Sequence, residues 1–436
     1  MYCISMLKWS GKKNMQSTKP VPRPTTADRQ AWRAYWVYCQ QAWRIEPEIS
    51  ITRQRELTVL RNRPADSEKG IYPFQKQRLS RADVEWLLAT HEQGRGPVLP
   101  RDVESRTGLD LRGANLAGAH LAGLPLTGFV GSLVTVSPGQ DEYETRKKAA
   151  VHLEGANLSG THLEYAHLEG VHMEGACLEH ACLQSAYLDG AYLEDANLRH
   201  ADCFEASLDG AWLWSVHGEE ARLWCASMRE AQFFSTHLER ADLSEARLDG
   251  AELMEVFLEG ANLKHACLAG ATLYRVYFDY ATQLLMIDLG DDARGLASLS
   301  HIRWEEADID GISWSRVPML GNEVEASQKI DDHGEPKSLK RRRGDYRGAI
   351  TATRQLARAL QAQGFDEEAA YFALRARRLE RTLFFLRGRW GAFLYAQFSD
   401  WFNAYGYRSE RGFFWLIIGV IILFILRRKK KRPASR

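Results

Sequence analysis

From residue 151 the chain repeats every five residues, reading VHLEG ANLSG THLEY AHLEG VHMEG ACLEH. Taking the large apolar residue as the centre, the centres run Leu153, Leu158, Leu163 and onward to Phe278. That makes 26 in unbroken register, and the pattern reads on into ATQLL at 281–285. The centres are Leu, Met or Phe, with Cys203 and Gly218 as exceptions. Two residues before each centre stands Ala, or occasionally Val or Thr; the other three positions are mostly polar. A helix needs apolar residues every 3.6 positions and a strand every 2, so neither accounts for this spacing. A small and a large residue separated by one outward residue, repeated every five, require a chain that turns a corner at each repeat. Four corners return it above its starting point. Coils stacked about 4.7–4.9 Å apart then pair their backbone groups with the coils above and below. Leu fills the axis, and Ala lies where the interior is too narrow for a longer side chain.

The pattern begins earlier, with centres Leu111, Leu116, Leu121 and Leu126. Leu126 and Leu153 are not separated by a multiple of five, so a loop is expected at about 137–148. Ile302-Arg-Trp304, Ala307-Asp-Ile309 and Ile312-Ser-Trp314 predict a last partial coil that hides the open end. With ANLSG at 156–160 and ANLKH at 261–265, the sequence resembles the pentapeptide-repeat family, whose common motif is A(N/D)LxG. The resemblance implies a right-handed quadrilateral β-helix, a mainly β solenoid, here assigned to 108–320.

After a flexible N-terminus at 1–26, residues 27–107 read as a helical region. In it LSRADVEWLLATHEQG has Ser80 as N-cap and Gly94 as stop. Residues 321–345 read as a polar linker. Amphipathic helices follow over 346–410: one ends at Gly364, and a second starts with Asp366 as N-cap, giving a hairpin with a TPR-like look. Then come 15 residues without charge, Gly412–Leu426, and the basic tail 428–436. At about 1.5 Å per residue this segment spans roughly 22 Å, short of a bilayer core of roughly 30 Å. Arg411 and Arg427 at its ends can snorkel, and Phe413 and Trp415 suit an interface. We therefore expect a membrane anchor at 411–427, carried by Phe413, Trp415, Ile417, Ile421, Leu426 and Arg427, with the repeats on the cytoplasmic side. The order of repeats, helical hairpin and hydrophobic segment is similar to that of bacterial membrane-associated pentapeptide proteins. Some of these are channel-like, so a truncated relative with a regulatory rod is an alternative, although no TVGYG-type filter occurs.

The formal net charge of +1 conceals an asymmetry: residues 151–282 sum to −15 and residues 336–436 to +16. Seven cysteines, with no CxxC pair, read as free thiols rather than a disulfide or zinc framework. The stacked pairs His152/His172 and His217/His237 supply too few ligands for a metal on their own. No GxSxG, HExxH, P-loop or dinucleotide fingerprint occurs, so no catalytic residue, cofactor or small-molecule substrate is expected.

Two outward columns stand out as candidate sites. Residues 20 apart stack, so Glu154, Glu174 and Glu194 form a carboxylate ladder. The ladder is either a solvated surface or, as the resemblance implies for members that bind topoisomerase, an imitation of DNA phosphates. The same column continues as Trp214, Phe234, Met254 and Tyr274, flanked by Trp212, and we expect Phe204 and Trp224 in a neighbouring column to extend it. An exposed apolar stripe of this kind marks a contact surface. The expected function is a non-enzymatic, membrane-anchored scaffold for a protein partner.

Overall fold

The computed structural model describes residues 21–66, 71–132, 149–291, 293–304, 307–309, 311–312, 314, 317, 320–330 and 335–404, without the side chains of 398–404. Each repeat is one short extended piece and one corner. The amide of Ala156 donates to the Leu153 carbonyl at 3.0 Å, closing a four-residue turn. The residue two after the centre adopts a left-handed conformation, at φ +60° in Gly160 and 54° in Glu205. Glycine takes this conformation without steric cost, which is why it recurs there. Between corners the backbone bonds vertically: Leu158 N donates to Cys177 O at 2.7 Å, and Cys177 N to Ala156 O at 2.9 Å.

Parallel bridges connect residues 20 apart on four faces, following His152↔His172, Asn157↔Cys177, His162↔Cys182 and His167↔Tyr187. Every Leu centre from 153 to 273 is at most 5% exposed, with the preceding Ala, Val or Thr equally buried. On one face the rungs lengthen into strands β1 (Trp212–Trp214), β2 (Gln232–Phe234), β3 (Glu252–Met254) and β4 (Thr272–Tyr274). With a later strand, Ser298–Ser300, they form a five-stranded parallel sheet. From Asn115 to Ser298 this face has nine rungs. That corresponds to a height of roughly 38 Å.

The register departs from five at three places. Asn115 bridges His152, an offset of 37, so 17 residues beyond a regular coil are inserted between Val130 and His152. The expected loop at 137–148 lies outside the described residues. The expected continuation through 281–285 is corrected by one residue. Asn262 bridges Gln283, and Thr282 and Leu284 are buried where an unshifted register would place Ala281 and Gln283. The Asp279 carboxylate absorbs the extra residue by accepting from the amides of Gly260, Ala281 and Thr282 at 2.8–3.1 Å. About half a coil later, the antiparallel pair β5 (Gly290–Asp291) and β6 (Gly295–Leu296) stretches the spacing, so that Thr272 pairs with Ser298 of β7 (Ser298–Ser300). The partial coil beyond it has Ile302, Ala307, Ile309, Ile312 and Trp314 buried, and Trp304 is stacked 5.5 Å from Phe278.

Before the first coil come helices α1 (Arg29–Tyr38), α2 (Ile51–Arg61) and α3 (Arg81–Ala89). Ser80 caps α3 in a reciprocal capping box with Asp83. The helix ends at Ala89, and a separate turn, His91–Gly94, follows across a kink at which Glu92 and Gln93 have positive φ. Residues 76–79 bond to the first coil through Lys76 N–Gly113 O and Leu79 N–Asn115 O, which covers its open edge. Buried Arg81 pairs with Glu85 at 2.7 Å and donates to the carbonyls of His120 and Ala122.

A second unit, residues 322–436, holds α4 (Leu339–Ala362), α5 (Asp366–Leu386) and α6 (Trp390–Ala404). Tyr346, Ala349 and Ile350 of α4 pack with Leu383 of α5 and with Ala326. The stretch read as a linker is partly helical, over Gly321–Ser327 and the first turns of α4. Glu323 accepts a forked ion pair from Arg375 at 2.8–3.1 Å. Phe365, not Asp366, is the N-cap of α5; Asp366, Glu367 and Glu368 fill its first turn, where acids complement the helix dipole. No helix among the described residues is long and apolar enough to cross a membrane. Phe413, Trp415, Ile417, Ile421, Leu426 and Arg427 lie outside the described residues.

Candidate functional site

The strand register aligns Trp214, Phe234, Met254 and Tyr274 on successive rungs. Trp214, Phe234 and Met254 are 39%, 44% and 37% exposed, and Tyr274 is half-buried. Trp212 stands beside Trp214, with ring centroids 5.1 Å apart, and Tyr192 lies one rung below Trp212 at 5.8 Å. Acids border the stripe: Glu252 is exposed on β3, and the corner residue Glu255 pairs with Arg275.

Phe204 and Trp224 do not extend this stripe. They follow Asp202 and Arg222, which bridge in the column of His162 and Cys182, two corners from the column of Tyr192 and Trp212. Because each repeat turns one corner of a four-sided coil, two corners lead to the opposite face. There Phe204 and Trp224 stack on each other at 4.8 Å.

The structure places Glu154, Glu174 and Glu194 in one column, as expected, but histidine is interleaved with the carboxylates. His152 Nδ1 lies 2.8 Å from Glu154 and His172 Nδ1 2.8 Å from Glu174, and the two imidazoles stack at 5.7 Å. The pattern recurs at His162–Glu164, His167–Glu169 and His237–Glu239, at 2.9–3.2 Å. Histidine one residue before a centre and glutamate one after it point the same way, so the HxE triplet was the signal in the sequence. Glu194 has Tyr192 in place of histidine. Burial and the neighbouring carboxylates Glu174 and Asp195 push its pKa up. Glu164 behaves oppositely. Burial alone would raise it, but His162 and the Thr127 hydroxyl, which donates at 3.0 Å, outweigh burial and hold it below the usual carboxylate range.

One rung above His162 stands Cys182, 3% exposed. Ligand atoms of His162, Glu164 and Cys182 all lie within 4.8 Å of one another. Two further clusters, Glu154/His172/Glu174 and Glu219/His237/Glu239, have only nitrogen and oxygen donors. Sequence reasoning missed all three clusters because it paired histidines only with histidines. In the helical unit, a groove of about 550 Å³ between α4 and α5 is floored by alanines and rimmed by Arg354, Arg358 and Arg377. Its lining holds no nucleophile beside a base.

These bridges define a four-sided parallel β-solenoid with helical flanks. The pentapeptide-repeat family model matches eight copies, over 152–188, 183–214, 219–250, 226–264 and 241–279. The chain carries a pentapeptide-repeat domain. Among solved structures it is similar to HetL, a pentapeptide repeat protein involved in heterocyst differentiation regulation from the cyanobacterium Nostoc sp. strain PCC 7120. The identity is 24%, covering 49% of this chain and 91% of that one, with a TM-score of 0.22. It is also similar to QnrB1, a plasmid-mediated fluoroquinolone resistance protein, at 17% identity over 37% of this chain and 85% of that one, TM-score 0.25. A pentapeptide repeat protein from the thylakoid lumen of Arabidopsis thaliana matches at 26% identity over 26% of this chain and 62% of that one, TM-score 0.18. No curated protein matches the chain.

Proposed function

We propose that the solenoid is a non-enzymatic interaction module. Its contact surface is the column Trp214, Phe234, Met254 and Tyr274, with Trp212 beside it, and residues 412–426 hold the chain at a membrane. The observation that carries this reading is the in-register exposure of three large apolar side chains on consecutive rungs. A rigid backbone ladder holds them in line, so binding them costs little ordering entropy. Exposed Glu252 at the border suits a partner with an apolar centre and a basic group at its rim. A protein contact is favoured over phosphate imitation, because the carboxylate column gives way to Trp214 after Glu194. Arg199, Arg222 and Arg275 also neutralise acids one rung away.

The double variant Trp214→Glu/Phe234→Glu tests the reading. In affinity capture with the full chain it is expected to lose the partner recovered by the unaltered protein, at unchanged thermal stability. Trp224→Glu, on the opposite face, is expected to retain it. Equal recovery by the double variant and the unaltered protein would remove the proposal.

A further inference from the structure

We propose that His162, Glu164 and Cys182 form a three-ligand binding site for a divalent cation of the zinc class. The coil geometry fixes the three donors. His162 and Glu164 flank Leu163 on one rung and point outward together; Cys182 is the bridge partner of His162 on the next rung. Zinc accepts imidazole nitrogen, carboxylate oxygen and thiolate sulfur at about 2.0–2.3 Å, and a three-residue set leaves a fourth position open. Donors around such an ion stand about 3.5 Å apart. The present spread, within 4.8 Å, is reached by small side-chain rotations.

Two further observations separate this cluster from the other histidine–glutamate pairs. The Glu164 side chain is 5% exposed, and no Lys or Arg pairs with it among the described residues. The imidazole and the Thr127 hydroxyl hold the Glu164 carboxylate in place, so an incoming ion meets a positioned donor. The donor set is also unique along the ladder. The residue above the histidine is His172 over His152, Tyr187 over His167, Tyr192 over His172, His237 over His217 and Phe257 over His237. Among the described residues sulfur stands there only at Cys182, and a soft donor selects zinc over magnesium or calcium. Ligation needs a thiolate and a neutral imidazole, so the Cys182 proton and any second proton on His162 pass to solvent, and affinity rises with pH.

The rod supplies its own control. Cys267 Sγ donates to Asp249 at 2.9 Å with the same diagonal spacing, but Arg247 stands below it instead of histidine. Burial pushes the Cys267 thiol up to about 11. This site has the thiol and the carboxylate without the imidazole.

The test titrates the reduced full-length chain with cobalt(II) and with zinc. Binding of one equivalent with a thiolate-to-cobalt charge-transfer band in the near ultraviolet is expected. Cys182→Ser abolishes the band and Cys267→Ser leaves it intact. His162→Gln and Glu164→Gln, each checked for an unchanged melting profile, weaken zinc binding by more than the roughly 10–100-fold that outer-shell changes cost. Cobalt bound without the band would put the ion on an oxygen–nitrogen cluster and overturn the proposal. So would a band that survives Cys182→Ser, or a chain that binds neither metal. The site lies on the face opposite the aromatic column, so it and the contact surface fail independently.

Discussion

At the scale of single residues, carboxylates fasten the irregularities of this rod. Asp279 gathers three amides and the Thr282 hydroxyl, and its position on the corner is what lets one extra residue enter without breaking the ladder. Burial alone would raise its pKa, but these donors outweigh burial and hold it below the ordinary aspartate value. Asp288 is held low in the same way, burial being overcome by Arg294 and the Gly290 amide. A carboxylate with a depressed folded pKa contributes stability in full above its unfolded value. That contribution disappears as the pH falls through the folded value. The coils around 279–289 are therefore expected to loosen below about pH 4, ahead of rungs that hold no carboxylate of lowered pKa. Hydrogen exchange at the rungs around 279–289, compared with those around 178–188, reads this directly. Asp279→Asn is expected to cost about 1–3 kcal/mol and to flatten that local acid response.

At the scale of the element, one rung is too short to be stable, and its worth comes from the neighbours it stacks on. The two places where the central leucine is missing show how closely the interior is filled. Cys203 and Gly218 leave room that Met228 and Phe233 occupy, with Leu238 reaching toward Gly218 so that an added Cβ there would meet Leu238 Cδ2 at 2.9 Å. The remaining void among these residues is about 10 Å³, no more than a single water needs. Phe233→Ala is expected to reopen it at a cost of about 3–5 kcal/mol, measured as a lower denaturant midpoint. The same packing explains why the solenoid was legible in advance: a five-residue period with Ala and Leu at fixed positions has one backbone solution. The one-residue slip at 280 was not legible, because Ala281 is itself a small residue and Asp279 was not recognised as a turn anchor. The early end of α3 was hidden for a similar reason, since Glu92 and Gln93 give no glycine-like signal for positive φ.

At the scale of the whole molecule, the charges divide: residues 151–282 carry −15 and residues 336–436 carry +16. Basic residues near an anionic leaflet gain about 1 kcal/mol each. The full chain is therefore expected to float with vesicles containing anionic lipid, and a chain ending at residue 404 to float less. Equal recovery of the two would detach the proposed anchor from 412–426.

The periodicity, the interior and the stacking of residues 20 apart followed from the sequence, because side-chain volume and backbone pairing leave a five-residue repeat no other arrangement. So did the column of Trp214, Phe234, Met254 and Tyr274, which needs only the count of residues per coil. The separation of Phe204 and Trp224 from the stripe and the seat of Cys182 over His162 follow from that same count; only the tertiary structure decided where the register slips, at Asp279 and between Thr272 and Ser298, because whether a carboxylate gathers amides around an extra residue depends on the coils beside it, which a linear sequence does not display.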